Sequence, residues 1–293
     1  MEKGNLVFGV DNLLTGQLSN LDYAMKNPNF HFVNVDILDY ALSCGERFDE
    51  IYHLASPASP PKYMSLPKET MKVNSIGTEL LAELSIATGA RLLYASTSEV
   101  YGDPLVHPQQ ESYFGNVNTL GPRSVYDESK RFGETILWYM RERRGANVVI
   151  VRIFNTYGPL MDPFDGRVIS NFLRQALQNK PLTVYGKGEQ TRSFCYVSDL
   201  IHGLELAMAS KSQGPLNLGN PTEFSLIELI DYVQELTSSK LELVFNDLPV
   251  DDPKVRCPDI SRAREELGWN PTIDLREGLS LTFDWIRKRL DAM

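Results

Sequence analysis

Short apolar runs alternate with longer amphipathic segments along the first half of the chain. A run of a few apolar and β-branched residues, closed by polar turn residues, is typical of a strand buried in a parallel sheet. Runs of this kind predict strands at residues 5–11, 31–36, 50–56, 91–102 and 147–154.

Two of the segments between these runs place their apolar residues on one face of a helix. They are residues 70–88 and residues 125–144, which end at Gly89 and Gly145, where glycine commonly stops a helix. Strands that alternate with helices of this length predict a parallel sheet with right-handed crossovers. The expected fold class is therefore α/β with a doubly wound parallel sheet, which binds ligands at the carboxyl ends of its strands.

The pattern becomes less regular after about residue 158. Loops rich in Pro, Gly and Asp separate short strands such as residues 182–186, which predicts a smaller α+β lobe. Residues 194–208 predict a helix that returns to the sheet. We expect a sheet domain at residues 1–158 and a mainly substrate-binding lobe at residues 159–293, with residues 194–220 returning to the sheet domain.

Composition and charge narrow the classes of function. The chain has 42% hydrophobic and 23% charged residues, as globular proteins do, and its formal net charge of -9 disfavours nucleic acid and anionic membranes as partners. No run approaches the roughly 18 apolar residues of a membrane span. The cysteines and histidines lack the spacing of a disulfide framework or zinc site, so no metal is expected. They are Cys44, Cys195, Cys257, His31, His53, His107 and His202.

Tyr126 and Lys130 are the central candidates for catalysis. They lie four residues apart in a predicted helix, so their side chains share one face. A tyrosine is a poor base because its usual pKa is about 10, but an adjacent ammonium favours the phenolate. The same lysine can donate to a ribose hydroxyl. Taken alone, this spacing is common, and an exposed helix pair is the alternative.

Hydroxyl and carboxyl side chains close the strand that starts at Arg91. They are Ser96, Thr97, Ser98 and Glu99. The carboxyl end of a central strand is where substrate should lie, although such residues also favour turns and helix starts. The downstream Tyr126 and Lys130 favour the substrate site.

Two aspartates close strands in the first half of the chain. Asp11 is followed by a polar turn, where a carboxylate can accept both hydroxyls of an adenosine ribose and favours NAD over NADP. Asp36 closes the following strand and can meet the adenine edge. A helix-start cap is the alternative for each of them.

Three arginines in the less regular half can neutralise a diphosphate through their fixed forks of donors. They are Arg167, Arg192 and Arg256, and surface salt bridges are the alternative for each. Tyr185 lies near these charges along the chain and can stack on a base, although core packing is the commoner use of a lone aromatic residue.

Long motifs occur in a specific order along almost the whole chain. They are HLASPASPPKYM at 53–64, STSEVYGDPLVHPQ at 96–109, GPRSVYDESKR at 121–131, RIFNTYGP at 152–159, DGRVISNF at 165–172, LTVYGKGEQTRSFCYVSDL at 182–200 and DDPKVRCPDISRAREELGWNP at 251–271. Together they resemble the UDP-glucuronate decarboxylases, or UDP-xylose synthases, of the extended short-chain dehydrogenase/reductase family. The resemblance implies a Rossmann-like sheet, NAD as cofactor, a UDP-sugar substrate and a homodimer.

The resemblance also implies a reaction. NAD⁺ takes hydride from C4 of the glucuronate while the Tyr126 phenolate takes the hydroxyl proton, which leaves the carboxylate β to a ketone. Carbon dioxide departs, C5 is protonated, and hydride returns to C4 to give UDP-xylose.

The matching positions imply roles for individual residues. The residues around the reacting ring are Tyr126, Lys130, Thr97, Ser98, Glu99 and Arg256. The residues for NAD are Asp11, Asn12, Thr15, Gly16, Asp36, Ile37, Leu54, Ala55, Ser56, Asn74, Ser96, Tyr126 and Lys130. The residues for the UDP-sugar are Tyr63, Arg123, Asn155, Arg167, Asn171, Tyr185, Gln190, Arg192 and Arg256.

Two further sequence features bear on functions other than decarboxylation. Related 4-epimerases and 4,6-dehydratases share Tyr126 and Lys130, but a dehydratase usually has Asp-Glu where this chain has Ser98-Glu99. The family begins with a strand and a G-x-G-x-x-G turn ahead of the residues that match 6–11, and this sequence contains neither. Loss of that central strand is expected to leave two unpaired sheet edges. Because the phosphate-binding turn is absent, the alternative function is a non-catalytic partner subunit. We expect this chain by itself to be cytoplasmic. With an upstream membrane anchor, we would expect it at the Golgi membrane.

Overall fold

The computed structural model describes residue 1 and residues 3–292. Its strands are β1 Val7–Val10, β2 Phe30–Val33, β3 Glu50–His53, β4 Arg91–Thr97, β5 Val148–Ile153, β6 Thr156–Tyr157, β7 Leu182–Tyr185, β8 Thr191–Ser193, β9 Cys195–Tyr196, β10 Leu216–Leu218, β11 Glu223–Ser225 and β12 Leu243–Asn246. Its α-helices are α1 Ile37–Ser43, α2 Pro60–Ser65, α3 Pro67–Lys72, α4 Thr78–Thr88, α5 Ser124–Arg144, α6 Val168–Leu177, α7 Val197–Ala209, α8 Leu226–Thr237, α9 Ser261–Leu267 and α10 Leu275–Asp291.

Four parallel strands form the main sheet in the order β10-β5-β4-β3. Helices α4 and α5 cover one face, and α7 and α9 cover the other. Because both faces are covered, the central strand β4 is almost wholly apolar until its end, and Leu92 and Leu93 are fully buried. The predicted α/β fold with a parallel sheet is confirmed.

Strands β1 and β2 form a separate parallel pair that runs in register from Val7 and Phe30 to Val10 and Val33. Across the described part of the chain, neither strand pairs with the main sheet, so β1 and β3 each keep one unpaired edge. Every described residue ahead of His53 is at least partly exposed. The sheet is therefore interrupted between β1 and β3, as expected from the sequence.

Several predicted element boundaries were wrong. The strands expected at residues 50–56 and 91–102 end earlier, at His53 and Thr97, the second because Thr97 caps the 3₁₀ turn Ser98–Tyr101. The helix expected at residues 70–88 begins earlier, at Pro67, and contains a π-helical turn at Val73–Gly77. The strand expected at residues 31–36 ends at Val33, because Asp36 caps α1 through its carboxylate. The helix expected from residue 194 begins at Val197, because Cys195 and Tyr196 pair with β6.

The second half of the chain has its own apolar core between α6, α8, α10 and β7, centred on Leu173, Leu182 and Leu229. Ile260 and Trp269, at the ends of α9, pack instead against the main sheet. The division into lobes at residues 158 and 159 stays a prediction. None of the helices in the described residues has both the length and the apolar composition of a membrane span.

Candidate active site

The first turns of α5 meet the carboxyl end of β4. Tyr126 and Lys130 are only 5% and 2% exposed. The Lys130 ammonium donates a 2.7 Å hydrogen bond to the carbonyl of Ala95 and lies 4.8 Å from the centre of the Tyr94 ring. Its distance to the centre of the Tyr126 ring is 5.9 Å. The structure therefore brings the predicted pair together at the mouth of the sheet.

In the ligand-free protein the pKa of Tyr126 is raised, which is opposite to the shift expected from the nearby Lys130. Burial raises the pKa of Tyr126, and a hydrogen bond with Thr97 opposes this shift without overcoming it. Burial also lowers the pKa of Lys130 to about 7, while the negative charge of Glu134 opposes that shift. Because both groups lose water on burial, each favours its neutral form.

The end of β4 combines a cap with a polar network. The Thr97 hydroxyl accepts a hydrogen bond from the backbone N–H of Glu99 at 3.2 Å, so it caps the 3₁₀ turn Ser98–Tyr101. The Ser96 hydroxyl donates to Glu134 at 2.5 Å. Both the capping role and the position at the strand end, which the sequence left as alternatives, are present here.

Glu99 is the centre of a buried group of charges. One oxygen of its carboxylate lies 2.9 Å from Arg123 and 3.2 Å from Arg256. Burial alone would raise the pKa of Glu99, but Arg256 and Arg123 outweigh it and hold the pKa at about 2. Asp252 extends the group by pairing with both Arg123 and Arg192.

A tight turn helps to hold this network. Gly102 has φ of +63°, and a side chain there would collide with the backbone of Asn116. The carbonyl of Gly102 accepts a 3.1 Å hydrogen bond from Arg256, which also donates to the carbonyl of Ser98. The turn after β4 therefore fixes the guanidinium beside Glu99.

The residues predicted to hold UDP contact other protein groups in the ligand-free protein. Arg192 joins the Glu99 network through Asp252, whereas Arg167 pairs with Asp165 at 2.5 Å at the start of α6. Asn171 donates to the carbonyl of Gly166, and Gln190 donates to the carbonyl of Tyr185. Asn155 lies between β5 and β6, where its carbonyl accepts from the backbone of Cys195. All three predicted arginines pair with an acid in the ligand-free protein. Only Arg167, with 37% of its side chain exposed, forms the surface salt bridge given as the alternative, because the side chains of Arg192 and Arg256 are only 12% and 2% exposed.

The residues predicted to hold the adenosine part of NAD lie around the separate strand pair. Asp11 is exposed after β1 and accepts a hydrogen bond from the backbone of Leu13 at 2.7 Å. Asn12 donates to Asp36 at 2.9 Å, so the ends of β1 and β2 are linked, while Asp36 also caps α1. The other predicted residues of this region follow β1, β2 and β3, and they are Thr15, Gly16, Ile37, Leu54, Ala55 and Ser56.

The nicotinamide end of the predicted NAD site fits the residues present. Asn74 is fully buried in the π-helical turn, donates to Ser129 at 3.0 Å, and has a side-chain oxygen without a partner among the described residues. The Lys130 ammonium, with three donors of which one binds Ala95, has donors left for a ribose hydroxyl. The sequence has no glycine-rich turn for the pyrophosphate, so we assign no contacts there.

Tyr63 packs face to face on Tyr126, with ring centres 4.8 Å apart and ring planes 4° apart. This predicted substrate residue is 1% exposed. It is buried in α2 next to the candidate catalytic phenol.

The sequence analysis missed several polar residues at the site. Burial lowers the pKa of His53 to about 3, and the nearby Lys130 adds to this shift. Arg152 forms a two-pronged ion pair with Glu134, one turn after Lys130. The sequence analysis also missed Asp127 and Asp252. A signal was available for Asp127 and Glu134, because both lie in the first three turns of the helix that carries Tyr126.

His107, Glu223 and Cys257 bring one possible metal-binding atom each within 4.8 Å of one another. Protein groups partner each of them: His107 contacts Glu223 at 2.8 Å, and the Cys257 thiol donates to the carbonyl of Pro221 at 3.3 Å. The cluster is thus a hydrogen-bonded contact that joins three distant segments.

Comparisons with known proteins agree with the geometry. Residues 1–219 match the profile of the "NAD dependent epimerase/dehydratase family". UDP-glucuronic acid decarboxylase 1 of Xenopus tropicalis is 49% identical over 291 residues, which are 99% of this chain and 68% of that protein. UDP-glucuronic acid decarboxylase 2 of Arabidopsis thaliana is 50% identical over 99% of this chain and 64% of that protein. The chain thus spans about two thirds of the length of these two relatives.

Two solved structures with the same fold are enzymes that act on sugar nucleotides. The UDP-glucose 4-epimerase of Thermotoga maritima, solved with UDP-glucose, has a TM-score of 0.89 and 30% identity, covering 99% of this chain and 93% of its own. The UDP-glucuronic acid 4-epimerase of Bacillus cereus, solved with UDP-glucuronic acid and NAD, has a TM-score of 0.87 and 27% identity, covering 97% and 91%. The resemblance seen in the sequence motifs is confirmed, and the chain belongs to the NAD dependent epimerase/dehydratase family, in which its close relatives are UDP-glucuronic acid decarboxylases.

Proposed function

We propose that this protein catalyses the NAD-dependent decarboxylation of UDP-glucuronate to UDP-xylose through a 4-keto intermediate. The observation that carries the proposal is the buried group of Glu99, Arg123 and Arg256 beside Tyr126 and Lys130. It combines a phenol for proton transfer with guanidinium groups that can receive a sugar carboxylate. The identity of about 50% to relatives named decarboxylases supports the same choice.

The first step places a proton on Tyr126. Its phenolate takes the proton of the C4 hydroxyl, with Thr97 as its hydrogen-bond partner and Lys130 behind the ring. NAD⁺, when bound, supplies the oxidant for C4 and a positive ring that favours the phenolate. Burial raises the pKa of Tyr126 in the free protein, so formation of the phenolate needs the positive charge that the bound nicotinamide ring supplies.

The second step removes the carboxylate. A ketone at C4 can accept the electrons of the C5–C6 bond as an enolate, so carbon dioxide leaves without a metal. Glu99 stays ionised through this step because Arg256 and Arg123 stabilise its charge. Those guanidiniums are held by carbonyls and acids on both sides of the site, so the group is organised before substrate binds.

The test uses this chain and a second form that is extended at its N-terminus by the strand and G-x-G-x-x-G turn with which the family begins. Each is incubated with UDP-glucuronate and NAD⁺. We expect carbon dioxide and a UDP-pentose in equal amounts. If neither form gives these products, the proposal is wrong.

The same experiment separates the related activities. A 4-epimerase would convert UDP-glucuronate to its C4 epimer without gas release, and a 4,6-dehydratase would require a C6 alcohol that this substrate lacks. If only the extended form turns over, the unpaired edges of β1 and β3 favour the second candidate for this chain without the extension, a non-catalytic partner subunit. If this chain binds NAD and turns over without the extension, that candidate is excluded.

We also propose that two copies of this chain pack through the outer faces of α5 and the π-helical turn Val73–Gly77. Ile76, Phe132 and Tyr139 are 46%, 55% and 48% exposed there. They line a groove of about 310 Å³ together with Ile136 and Met140. An exposed apolar patch on the outside of a helix pair is typical of a homodimer contact.

A further inference from the structure

His107, Glu223 and Cys257 bring three different kinds of metal-binding atom to one place. His107 lies in the loop between β4 and α5, Glu223 begins β11, and Cys257 follows Arg256. Each side chain offers one atom, and these three atoms lie within 4.8 Å of one another. Because the three residues are far apart in the chain, the spacing of cysteines and histidines, from which no metal is expected, carries no sign of this cluster.

The side chains of His107 and Glu223 already face each other. The Nε2 atom of His107 lies 2.8 Å from one carboxylate oxygen of Glu223. The other oxygen accepts a 2.6 Å hydrogen bond from the Thr191 hydroxyl, which fixes the orientation of the carboxylate. The Cys257 thiol points to the same segment, since it donates to the carbonyl of Pro221 at 3.3 Å. Support of a carboxylate from behind is typical of metal-binding carboxylates.

Backbone hydrogen bonds hold the three segments in this arrangement. In the pairing of β8 with β11, Glu223 lies opposite Ser193, and the N–H of Ser193 donates to the carbonyl of Arg256 at 3.2 Å. Gln109 is fully buried, and its backbone N–H donates to the carbonyl of Cys257 at 2.9 Å. Its side-chain oxygen accepts from the N–H of Cys257, also at 2.9 Å. The segments that carry the three side chains are therefore fixed relative to one another before any ion binds.

The set of donor atoms selects the class of ion. An imidazole nitrogen, a thiolate sulfur and a carboxylate oxygen together suit Zn²⁺, whereas Ca²⁺ and Mg²⁺ prefer oxygen alone. In a tetrahedral zinc site with bonds of about 2.0 to 2.3 Å, the ligand atoms lie roughly 3.3 to 3.8 Å apart, so small side-chain movements bring this cluster to that geometry. The side chains of His107 and Glu223 are 41% and 25% exposed, which gives them room to move and gives an ion a path to the cluster.

We propose that His107, Glu223 and Cys257 bind one Zn²⁺ ion, with a water molecule as the fourth ligand. Two bonds to the metal replace the hydrogen bond between His107 and Glu223, and His107 stays neutral with its proton on Nδ1. The thiol proton of Cys257 passes to solvent as the thiolate binds. The ion ties together the loop after β4, strand β11 and the segment of Arg256. None of the three ligands has a role in the proposed decarboxylation, so the inference is independent of it.

The first experiment titrates the reduced, metal-free protein with Co²⁺, which takes the place of Zn²⁺ and reports its own ligands through its absorption spectrum. We expect saturation at one ion per chain, with the visible bands of a four-coordinate ion and an intense near-ultraviolet band from sulfur-to-cobalt charge transfer. Added Zn²⁺ should displace Co²⁺ and remove both. If the charge-transfer band does not form, no thiolate binds the metal and the proposal is wrong.

Single substitutions identify the ligands. Cys257→Ser keeps a hydroxyl that can donate to the same carbonyl, but it should remove the charge-transfer band and weaken Zn²⁺ binding at least about 100-fold. His107→Asn and Glu223→Gln keep hydrogen-bonding groups and should each weaken Zn²⁺ binding at least about 10-fold. Unchanged affinity in all three variants would overturn the proposal.

Cys44→Ser is the matched control. Cys44 is the one partly exposed cysteine of the three, and its thiol lies 3.1 Å from the carboxylate of Glu46, so it is the alternative place for an adventitious ion. The variant should bind Co²⁺ as the wild type does. If the charge-transfer band survives in Cys257→Ser and disappears in Cys44→Ser, the ion is adventitious and the proposal is wrong.

A second measurement tests whether the ion ties the three segments together. Zn²⁺ at about 100 times its dissociation constant should raise the thermal unfolding midpoint of the wild type and of Cys44→Ser by about 3 to 8 °C. The midpoint of Cys257→Ser should shift by less than about 1 °C, because the ion no longer binds the folded state preferentially. Glu223→Gln gives the same comparison if Cys257→Ser does not fold. Equal shifts in the wild type and in these variants would place the ion elsewhere and overturn the proposal.

Discussion

The two ends of the proposed site differ in how firmly the chain holds them. Tyr126, Lys130 and Arg256 are each at most 5% exposed and bind backbone carbonyls or lie among buried groups. The adenosine side is built on β1 and β2, where Asp11 is exposed and no strand pairs with the main sheet among the described residues. The catalytic side is thus organised by the core, whereas the cofactor side depends on local hydrogen bonds.

This difference indicates which side of the site must rearrange when its ligand binds. A preorganised catalytic side needs little rearrangement when the sugar binds. On the cofactor side, two open strand edges and partly exposed apolar residues such as Leu6 and Tyr52 leave a region of low local stability. We therefore expect changes on the catalytic side to act on turnover and stability, and changes on the cofactor side to act on NAD affinity.

The largest effect is expected at Tyr126. Tyr126→Phe removes the hydroxyl that handles the C4 proton, so kcat should fall by about 100-fold or more. Carbon dioxide release measures the loss, and far-UV circular dichroism should stay unchanged. Tyr232→Phe on α8 removes a hydroxyl far from the site and serves as the control. Equal activity of both variants would contradict the role of Tyr126.

The next largest effect is on stability and comes from Glu99. Glu99→Gln leaves the buried guanidinium of Arg256 without its counter-charge, which should lower the free energy of unfolding by about 3 to 5 kcal/mol. Urea denaturation at pH 7 measures this difference. An unchanged midpoint would show that the catalytic side does not depend on this network.

The same carboxylate predicts a pH dependence. The folded pKa of Glu99 lies below its ordinary value, so its stabilising contribution is present above about pH 4.5 and is lost as the pH falls toward 2. The stability of the wild type should therefore fall more steeply than that of Glu99→Gln across this window. If the stabilities of the wild type and of Glu99→Gln change in parallel with pH, the low pKa of Glu99 is wrong.

A third change tests the outer helix face rather than the site. Phe132→Asp places a charge in the groove beside Ile76 and Tyr139, so a dimer that uses this face should dissociate. Light scattering after size exclusion should show monomers for the variant and dimers for the wild type. Phe245→Asp on the exposed strand β12 is a control that should stay dimeric.

The smallest effect is expected on the cofactor side. Asp11→Asn removes a charge-assisted hydrogen bond to the adenosine ribose, so NAD should bind about 10-fold more weakly. Calorimetric titration of the extended form measures this. The thermal unfolding midpoint without NAD should not change, because Asp11 is exposed. A large loss of stability would show that the two sides are coupled more tightly than their burial indicates.

Much of the site followed from local patterns. Apolar runs closed by polar residues located β4 and its end, and the spacing of Tyr126 and Lys130 needed only the geometry of a helix. The interrupted sheet followed from the family resemblance, since the chain has no residues for the strand between β1 and β3. The boundaries near Asp36 and Val197 were misjudged because capping and a short parallel pairing end the apolar pattern early.

The sequence by itself determined the alternating architecture, the catalytic helix and the family, because these depend on spacing along the chain and on long ordered motifs. Tertiary structure alone decided the charge states. Glu99 and Asp127 are both carboxyl groups, and only their three-dimensional neighbours make one strongly acidic and keep the other protonated. Residues 123 and 256 meet at one oxygen although 133 positions separate them in the chain, and no local pattern encodes such a contact.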